Sequence, residues 1–378
     1  MDQKKGWVLK FNEFESGQKF FGIKKLGFKP GSISDDTLLK IKLYVDMSRA
    51  VQAPAYRGSY ALFYVNDQFV GLYFMHEDVA PSYMDGRIHD DSGDGNLMKL
   101  YYSVHLQYFG PDLDYYYTEN KTNAMGRKCV ILNAYYSCIV SCIIFYCFST
   151  GVDLFYYEQS DGNGDWEDFL EWLLFFNSSS SSVFADEIED RVDVSSMLRA
   201  MTVESFMLAS DNFADGGNYY AYHRTSDKHP DQWVIMETDF DECFSFEKGT
   251  EAAANADIFD FFLVPESDAY SDINPLLHRL LAVDEGIQTY RDQYVAFYET
   301  FLEAVFGSDS PQQPSARYAS MVQFILPWVA KDRLWQMSFG MTVQDFLLDA
   351  EGTIAQLPLR YDNTTAQVNL YHQSKDGT

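Results

Sequence analysis

Residues 211–224 of the chain read DNFADGGNYYAYHR, and residues 233–241 read WVIMETDFD. Each stretch contains a short run of aromatic and aliphatic residues that is typical of a β-strand, 219–222 in the first and 233–236 in the second. Asp211 and Asn218 precede the first strand, and Asp239 follows the second. We therefore expect two strands joined by a polar turn, with carboxylates and one carboxamide at their ends.

The polar side chains at these strand ends are of the kind that binds a divalent cation. Mg²⁺ prefers oxygen ligands, and a phosphoryl-transfer site combines a carboxylate that orients the acceptor with an Asn/Asp set that holds metal on the phosphates. The order Asp, Asn, strand, turn, strand, Asp-Phe-Asp supplies both parts and parallels the catalytic loop and metal-binding aspartate of protein kinases. The alternative is an acidic surface hairpin, which is common in a chain with 56 acidic residues.

The composition of the chain narrows the classes of protein to consider. Its 378 residues are 47% hydrophobic and 17% aromatic, which favours a folded protein with a sizeable core over a disordered one. Acidic residues outnumber basic ones 56 to 28, and the formal net charge is −28. This balance argues against a nucleic-acid partner, which needs clustered Lys and Arg, and suits binding of cations or basic partners.

The remaining pattern predicts an α+β protein. Residues 7–29 alternate apolar and polar positions as short strands do, and residues 60–75 form a predicted hairpin. Between them, residues 34–36, Ser-Asp-Asp, offer an N-cap for a helix that runs to about Ala50. Further helices are predicted at 166–176, 193–210, 276–281, 290–306, 316–329 and 343–357. Strands dominate the N-terminal part and helices the C-terminal part.

An apolar, cysteine-rich segment interrupts this pattern. Residues 129–150 include 17 apolar residues among 22, and four of the five cysteines lie here. About 20 apolar residues suffice to cross a bilayer, so a membrane span is one interpretation. A buried helix is the second, and translated non-coding sequence, such as a retained intron, is the third. We treat residues 119–154 as an insert.

Several ordered blocks of the chain resemble the CotH family of spore-coat-type, secreted, protein-kinase-like enzymes. Residues 60–79, YALFYVNDQFVGLYFMHEDV, are similar to that family's hairpin block, and residues 95–99, GNLMK, are similar to its Gly-Asn-Leu-Tyr-Lys. The stretches quoted first resemble its core of the form D…NyylYr…wDfD, with Thr238 in place of the usual Trp. Residues 20–26, 35–50 and 275–335 also fit, so the resemblance covers nearly the whole chain apart from 119–154.

The resemblance implies an atypical protein-kinase-like fold and a role for individual residues. Asp211 would be the base that orients the acceptor, Asn218 and Asp239 would hold Mg²⁺, and Asp241 would assist them. Glu77 would lie where a kinase has its hinge, and Lys99 would contact the phosphates or nucleotide.

Lys99 follows the hairpin, whereas the phosphate lysine of a kinase precedes the first helix, so Lys5 and Lys10 are rival candidates. The family's upstream RGnSS-like stretch and a Gly-rich loop before Trp7 are missing from the chain, so we expect it to be truncated upstream. The expected organisation is residues 1–118 as the sheet-rich part, 119–154 as the insert, 155–265 as the catalytic core and 266–378 as the helical part.

The expected function is that of an ATP- and Mg²⁺-dependent kinase that phosphorylates Ser or Thr of a secreted or surface protein. Its partners would be a nucleotide and a protein substrate, without nucleic acid, and with a membrane only if 129–150 is a genuine span. No signal peptide starts the chain, so either the protein is cytosolic or its true N-terminus is missing, and the expected extracellular or cell-surface location rests on the resemblance alone. The alternative function is a non-catalytic surface, adhesion or coat protein on the same fold.

Overall fold

A computed structural model describes most of the chain outside the insert. The described residues are 4–32, 34–79, 81–84, 88, 95–100, 106, 108, 157–161, 166–214, 216–224, 228, 231–244, 254–259, 274–282, 286–307 and 313–376. The predicted insert 119–154, with its candidate span 129–150, lies outside them. Within the described residues, no helix combines the length and the apolarity that crossing a membrane requires.

The N-terminal part forms an antiparallel sheet with strand order β1-β2-β4-β3. Its strands are β1 (Trp7–Lys10), β2 (Lys25–Lys29), β3 (Gly58–Val65) and β4 (Gln68–Glu77). The predicted hairpin is β3–β4, and both turn residues, Asn66 and Asp67, have positive φ (49° and 61°). This geometry matches the twist of the flanking strands, and Asn and Asp tolerate it well.

Helix α1 (Leu39–Ala50) packs on one face of this sheet and ends where the sequence predicts. The Asp35 carboxylate accepts hydrogen bonds from the backbone N–H groups of Leu39 (3.0 Å) and Ile41 (3.1 Å), so it satisfies donors that the first turn leaves unpaired. The opposite face of the sheet carries a separate small apolar cluster of Leu26, Phe28 and Tyr73.

A second antiparallel sheet follows, with strand order β6-β5-β7-β8. Its strands are β5 (Leu97–Leu100), β6 (Tyr157–Asp161), β7 (Tyr219–His223) and β8 (Trp233–Glu237), and the two strands predicted from the opening stretches are β7 and β8. Between the sheets in the chain lies the short α2 (Pro81–Met84), and between β6 and β7 lie α3 (Glu167–Ser178), α4 (Ser181–Arg191) and α5 (Val194–Met207).

The C-terminal part is helical. Its helices are α6 (Pro275–Leu281), α7 (Gln288–Phe306), α8 (Gln313–Val329), α9 (Arg333–Phe339) and α10 (Val343–Asp376). They share one apolar core with α1, α3 and α5. The predicted α+β class, with a sheet-rich N-terminal part and a helical C-terminal part, is therefore confirmed. Helix α10 is longer than predicted, because it continues through Pro358 instead of ending at Leu357.

A buried ion pair joins the first sheet to the C-terminal helices. The Lys4 ammonium lies 2.8 Å from the Asp332 carboxylate, and both side chains are about 1% exposed. Asp332 also accepts hydrogen bonds from the N–H groups of Leu72 in β4 (2.8 Å) and Trp335 in α9 (2.9 Å). Gly71 makes this approach possible, since a Cβ there would lie 2.6 Å from the carboxylate.

We expect Asp332→Ala to lower the free energy of unfolding by about 3–5 kcal/mol, because it leaves the buried Lys4 ammonium without its counter-charge. Urea denaturation followed by circular dichroism measures this loss. Glu187→Ala is the control, since it breaks the exposed Glu187–Arg191 pair within one helix and should cost less than about 0.5 kcal/mol. Equal losses in the two variants would contradict the structural role of the buried pair.

A second prediction concerns pH. Burial, and next the neighbouring Asp349 carboxyl on α10, raise the pKa of Asp36 from 3.8 to about 8. The folded chain therefore holds a proton that the unfolded chain has lost above pH 3.8. The stability that protonated Asp36 contributes to the folded chain is fully present below the unfolded pKa of 3.8. It is lost as the pH rises through the folded pKa of about 8.

Asp36→Asn, which cannot ionise, should therefore lose less stability than the wild type between about pH 5 and pH 9. Urea midpoints measured across this range report the difference. Asp345→Asn is the control on α10: hydrogen bonds from Thr342 hold the pKa of Asp345 below its ordinary value, so this group stays ionised between about pH 5 and pH 9 in both states and its curve should run parallel to the wild type. Parallel curves for Asp36→Asn and the wild type would show that the acid pair is not proton-linked to folding.

Candidate active site

The loop between α5 and β7 brings Asp211 and Asn218 together. The Asn218 side-chain amide donates hydrogen bonds to the Asp211 carboxylate (Oδ2, 2.8 Å) and to the Asp211 carbonyl (3.0 Å). Gly217 leaves the necessary space, since a Cβ there would lie 2.5 Å from Asp211 Oδ1. Because the Asn218 nitrogen is engaged, its side-chain oxygen is the atom that remains for a cation.

Hydrogen bonds through Thr238 attach this loop to the end of β8. The Thr238 N–H and hydroxyl both donate to the Asn218 carbonyl (2.8 and 2.9 Å), and the buried Asn212 side chain donates to the Thr238 carbonyl (2.7 Å). Thr238, which occupies the position of the family's usual Trp, thus attaches the segment that begins at Asp239 to Asn218. Asn218 in turn orients Asp211. These hydrogen bonds link the Asp211–Asn218 pair to the residue that precedes Asp239.

Two of these residues have left-handed backbone conformations. The φ angles of Asn218 and Asp239 are 47° and 59°. Asn and Asp are the non-glycine residues that adopt this region most readily, but it still costs about 1 kcal/mol each. The bonds to Thr238 supply a local constraint that maintains this geometry.

A cation that the sequence analysis did not single out lies on Asp239. The Lys29 ammonium, at the end of β2 in the first sheet, forms an ion pair with the Asp239 carboxylate after β8 in the second sheet. Lys29 also precedes α1, which is the chain position expected of a kinase phosphate lysine. A search of the strand before the first helix for a lysine could therefore have found it.

Asp241 adds a second carboxyl beside Asp239. Burial and the negative charge of Asp239 raise the pKa of Asp241 to about 6, while a hydrogen bond from Ser32 and the charge of Lys29 oppose the rise. The Asp241 N–H donates to the Asp239 carbonyl (2.8 Å), which holds the two residues in a tight turn. The raised pKa of Asp241, next to a second carboxyl group, indicates an environment that favours added positive charge.

Helix α1 packs against the Asp239–Asp241 turn through Tyr44. The Tyr44 ring stacks on the buried Phe240 ring with centroids 3.7 Å apart, and the Tyr44 hydroxyl donates to the Glu237 carbonyl (2.8 Å). Cys243 is fully buried next to this turn, where its thiol donates to the Phe240 carbonyl (3.4 Å). Burial raises the pKa of this thiol far above its ordinary value.

Glu77 and Lys99, the other residues with an expected nucleotide role, lie on one strand of each sheet. Glu77 ends β4, where its carboxylate accepts a hydrogen bond from the Arg57 N–H (3.0 Å) and pairs with the Arg57 guanidinium. Lys99 lies on β5 of the second sheet, with its ammonium 5.7 Å from the centre of the Tyr220 ring. Of the rival lysines, Lys5 is exposed, and Lys10 pairs with Glu13 at 2.6 Å.

The donor set fits a hard divalent cation. Asp239, Asp241 and Asn218 offer only oxygen ligands, and Mg²⁺ commonly takes one or two carboxylates and completes its shell with water and phosphate oxygens. Among the residues that the structure describes, no group of three His, Cys, Asp or Glu forms a complete protein cage for a metal.

Comparison with known proteins identifies the family. The family model described as CotH kinase protein matches residues 1–136 and 149–345. The internal stretch that it leaves unmatched, 137–148, falls within the predicted insert. No curated protein matches the chain. The family match includes both sheets and every residue of the site above, and the chain therefore belongs to the CotH kinase protein family.

Proposed function

We propose that the chain transfers the γ-phosphate of ATP to a Ser or Thr hydroxyl of a protein substrate, with Mg²⁺ as cofactor. The observation that carries this proposal is the ion pair between Lys29 and Asp239. It places a cation from one sheet on a carboxylate from the other, beside a loop in which Asn218 holds Asp211. Phosphoryl transfer needs these elements: a cation, oxygen ligands for metal, and a carboxylate for the acceptor.

The proposed roles follow from the chemistry of each group. The acceptor oxygen forms a bond to the γ-phosphorus, the bond from that phosphorus to the β,γ-bridging oxygen breaks, and ADP leaves. Asp211 orients the acceptor hydroxyl and takes its proton, and Lys29 neutralises phosphate charge. Asn218, Asp239 and Asp241 hold Mg²⁺, which supplies electrostatic stabilisation of the transferring group. With a pKa of about 6, Asp241 is ionised at neutral pH.

Glu77 and Lys99 keep narrower proposed roles. Glu77 fixes the end of β4 through Arg57, at the position of a kinase hinge. Lys29 takes the role of phosphate contact first assigned to Lys99, and Lys99 stays a candidate for another nucleotide contact.

Family membership supports a surface or extracellular setting with a protein substrate, and the net charge of −28 supports a basic acceptor segment.

The decisive test is phosphate transfer. Incubation with labelled ATP and Mg²⁺ should label the protein itself or an added Ser/Thr substrate. Asp239→Asn should reduce the rate by about 10²–10³-fold or more, because it removes a metal-holding charge. Asp345→Asn, a change in the first turn of α10, is the control and should retain the wild-type rate. Equal labelling by Asp239→Asn and wild type, or none by either, rejects the kinase function and favours a non-catalytic surface protein.

A second test separates the two lysines. Lys29→Met should raise the KM for ATP and lower kcat, about 10²-fold or more in kcat/KM, because it removes the cation beside the metal-binding carboxylates. Lys99→Met should change kcat/KM much less. Steady-state kinetics at several ATP concentrations, with melting curves to verify folding, measure both variants. A larger loss in Lys99→Met would return the phosphate role to Lys99.

A further inference from the structure

Helix α10 carries a stripe of polar side chains that donate hydrogen bonds to the backbone of other segments. Its members are spaced three or four residues apart, so they share one face of the helix. They are Gln356, Arg360, Asn363 and Gln367. The family match ends at residue 345, so the whole stripe lies beyond the matched residues.

Arg360 donates hydrogen bonds to the C-terminal end of α5. Its guanidinium is fully buried and donates to the carbonyls of Ser205 (3.0 Å) and Phe206 (3.1 Å) in the last turn, and to the carbonyl of Ala256 (2.9 Å). The last carbonyls of a helix lack intrahelical partners and carry partial negative charge, so a guanidinium there is favourable. Helix α5 ends at Met207, four residues before Asp211.

Gln356, one helical turn before Arg360, bonds to the segment that follows the Asp239–Asp241 turn. Its side-chain N–H donates to the Phe244 carbonyl (3.3 Å), three residues after Asp241. The Phe244 N–H in turn donates to the Met207 carbonyl (2.7 Å). The end of α5 and the segment after Asp241 are therefore bonded to each other and to the same turn of α10.

Stability alone does not account for this arrangement. Removing a guanidinium from water is expensive, and well-packed apolar side chains are often equally stable in such places. Gln356 Oε1 is buried and, within the described part of the chain, accepts no hydrogen bond, which is itself unfavourable. Gln356 and Arg360 instead provide directed hydrogen bonds, to the segment after Asp241 and to the end of α5 respectively.

We propose that Gln356 and Arg360 are positioning residues, which brace the Asp211 loop and the Asp239–Asp241 turn from α10 and hold them in the relative arrangement that phosphate transfer requires. Neither residue touches the reacting groups, and each acts through the backbone that it holds. The catalytic consequence rests on the proposed kinase function, whereas the brace itself does not.

The first experiment measures the brace without any assay of activity. Hydrogen exchange, read by mass spectrometry, is compared for the wild type, Arg360→Met, Gln356→Met and Arg279→Met. Arg279 is a matched control because its guanidinium donates to the carbonyls of Phe176 (3.0 Å), Ser179 (2.9 Å) and Ser180 (3.1 Å) at the end of a different helix, α3.

Arg360→Met should accelerate exchange in peptides covering 208–218 and 239–244 by on the order of tenfold, which corresponds to losing hydrogen bonds from a charged group. Gln356→Met should accelerate exchange mainly in 239–244, and Arg279→Met only around 176–184. Unchanged exchange at 208–218 and 239–244 in the α10 variants, or the same change in Arg279→Met, overturns the proposal. If Arg360→Met fails to fold, Gln356→Met decides, since it removes one neutral bond and no charge.

The second experiment measures transfer kinetics. Both α10 variants should lower kcat by about tenfold or more with KM for ATP within about threefold, because the binding groups remain while their arrangement loosens. Arg279→Met should retain both constants. Accelerated exchange at 239–244 with an unchanged kcat overturns the positioning role. If the wild type transfers no phosphate, the kinase function fails, and the exchange data alone still decide whether the brace exists.

Discussion

The ion pair between Lys29 and Asp239 is the contact on which the arrangement of the molecule depends. Asp239 and Asp241 follow one strand and repel each other, so a positive charge must come from elsewhere in the chain. Lys29 supplies it from the other sheet, and this requires that β2 end directly over the end of β8. Helix α1 also contacts this turn. Its Tyr44 ring stacks on the ring of Phe240, the residue between the two acids in the chain.

Holding the acids in place costs backbone strain, and the strain is opposed by hydrogen bonds within the same few residues. Asn218 and Asp239 are both left-handed, and Thr238 connects them by donating twice to the Asn218 carbonyl. Strained positions persist only where their surroundings determine them, and clusters of them are typical of functional sites. The buried Arg360 extends that support to the helix from which the Asp211 loop begins.

Local patterns explain what the sequence could predict. Strands β7 and β8 depend on residues that are neighbours in the chain, so the short apolar and aromatic runs at 219–222 and 233–236 reveal them. Lys29 was missed because its pairing with Asp239 joins residues 210 positions apart, and no local pattern records such a contact. The predicted end of α10 was wrong for a related reason. Pro358 usually stops a helix, but buried tertiary contacts on its C-terminal side, including those of Arg360, stabilise the helix beyond this residue.

The burial of Cys243 has a chemical consequence for a protein that would work outside the cell. The thiolate is the nucleophile that reacts with oxidants and disulfides, and a thiol that is fully buried with a strongly raised pKa presents almost no thiolate. The Cys243 thiol beside the Asp239–Asp241 turn is therefore inert in an oxidising medium. Among the described residues, Cys243 is a free thiol, so packing and hydrogen bonds hold the Asp239–Asp241 turn beside it, and reductants have no disulfide to cleave there.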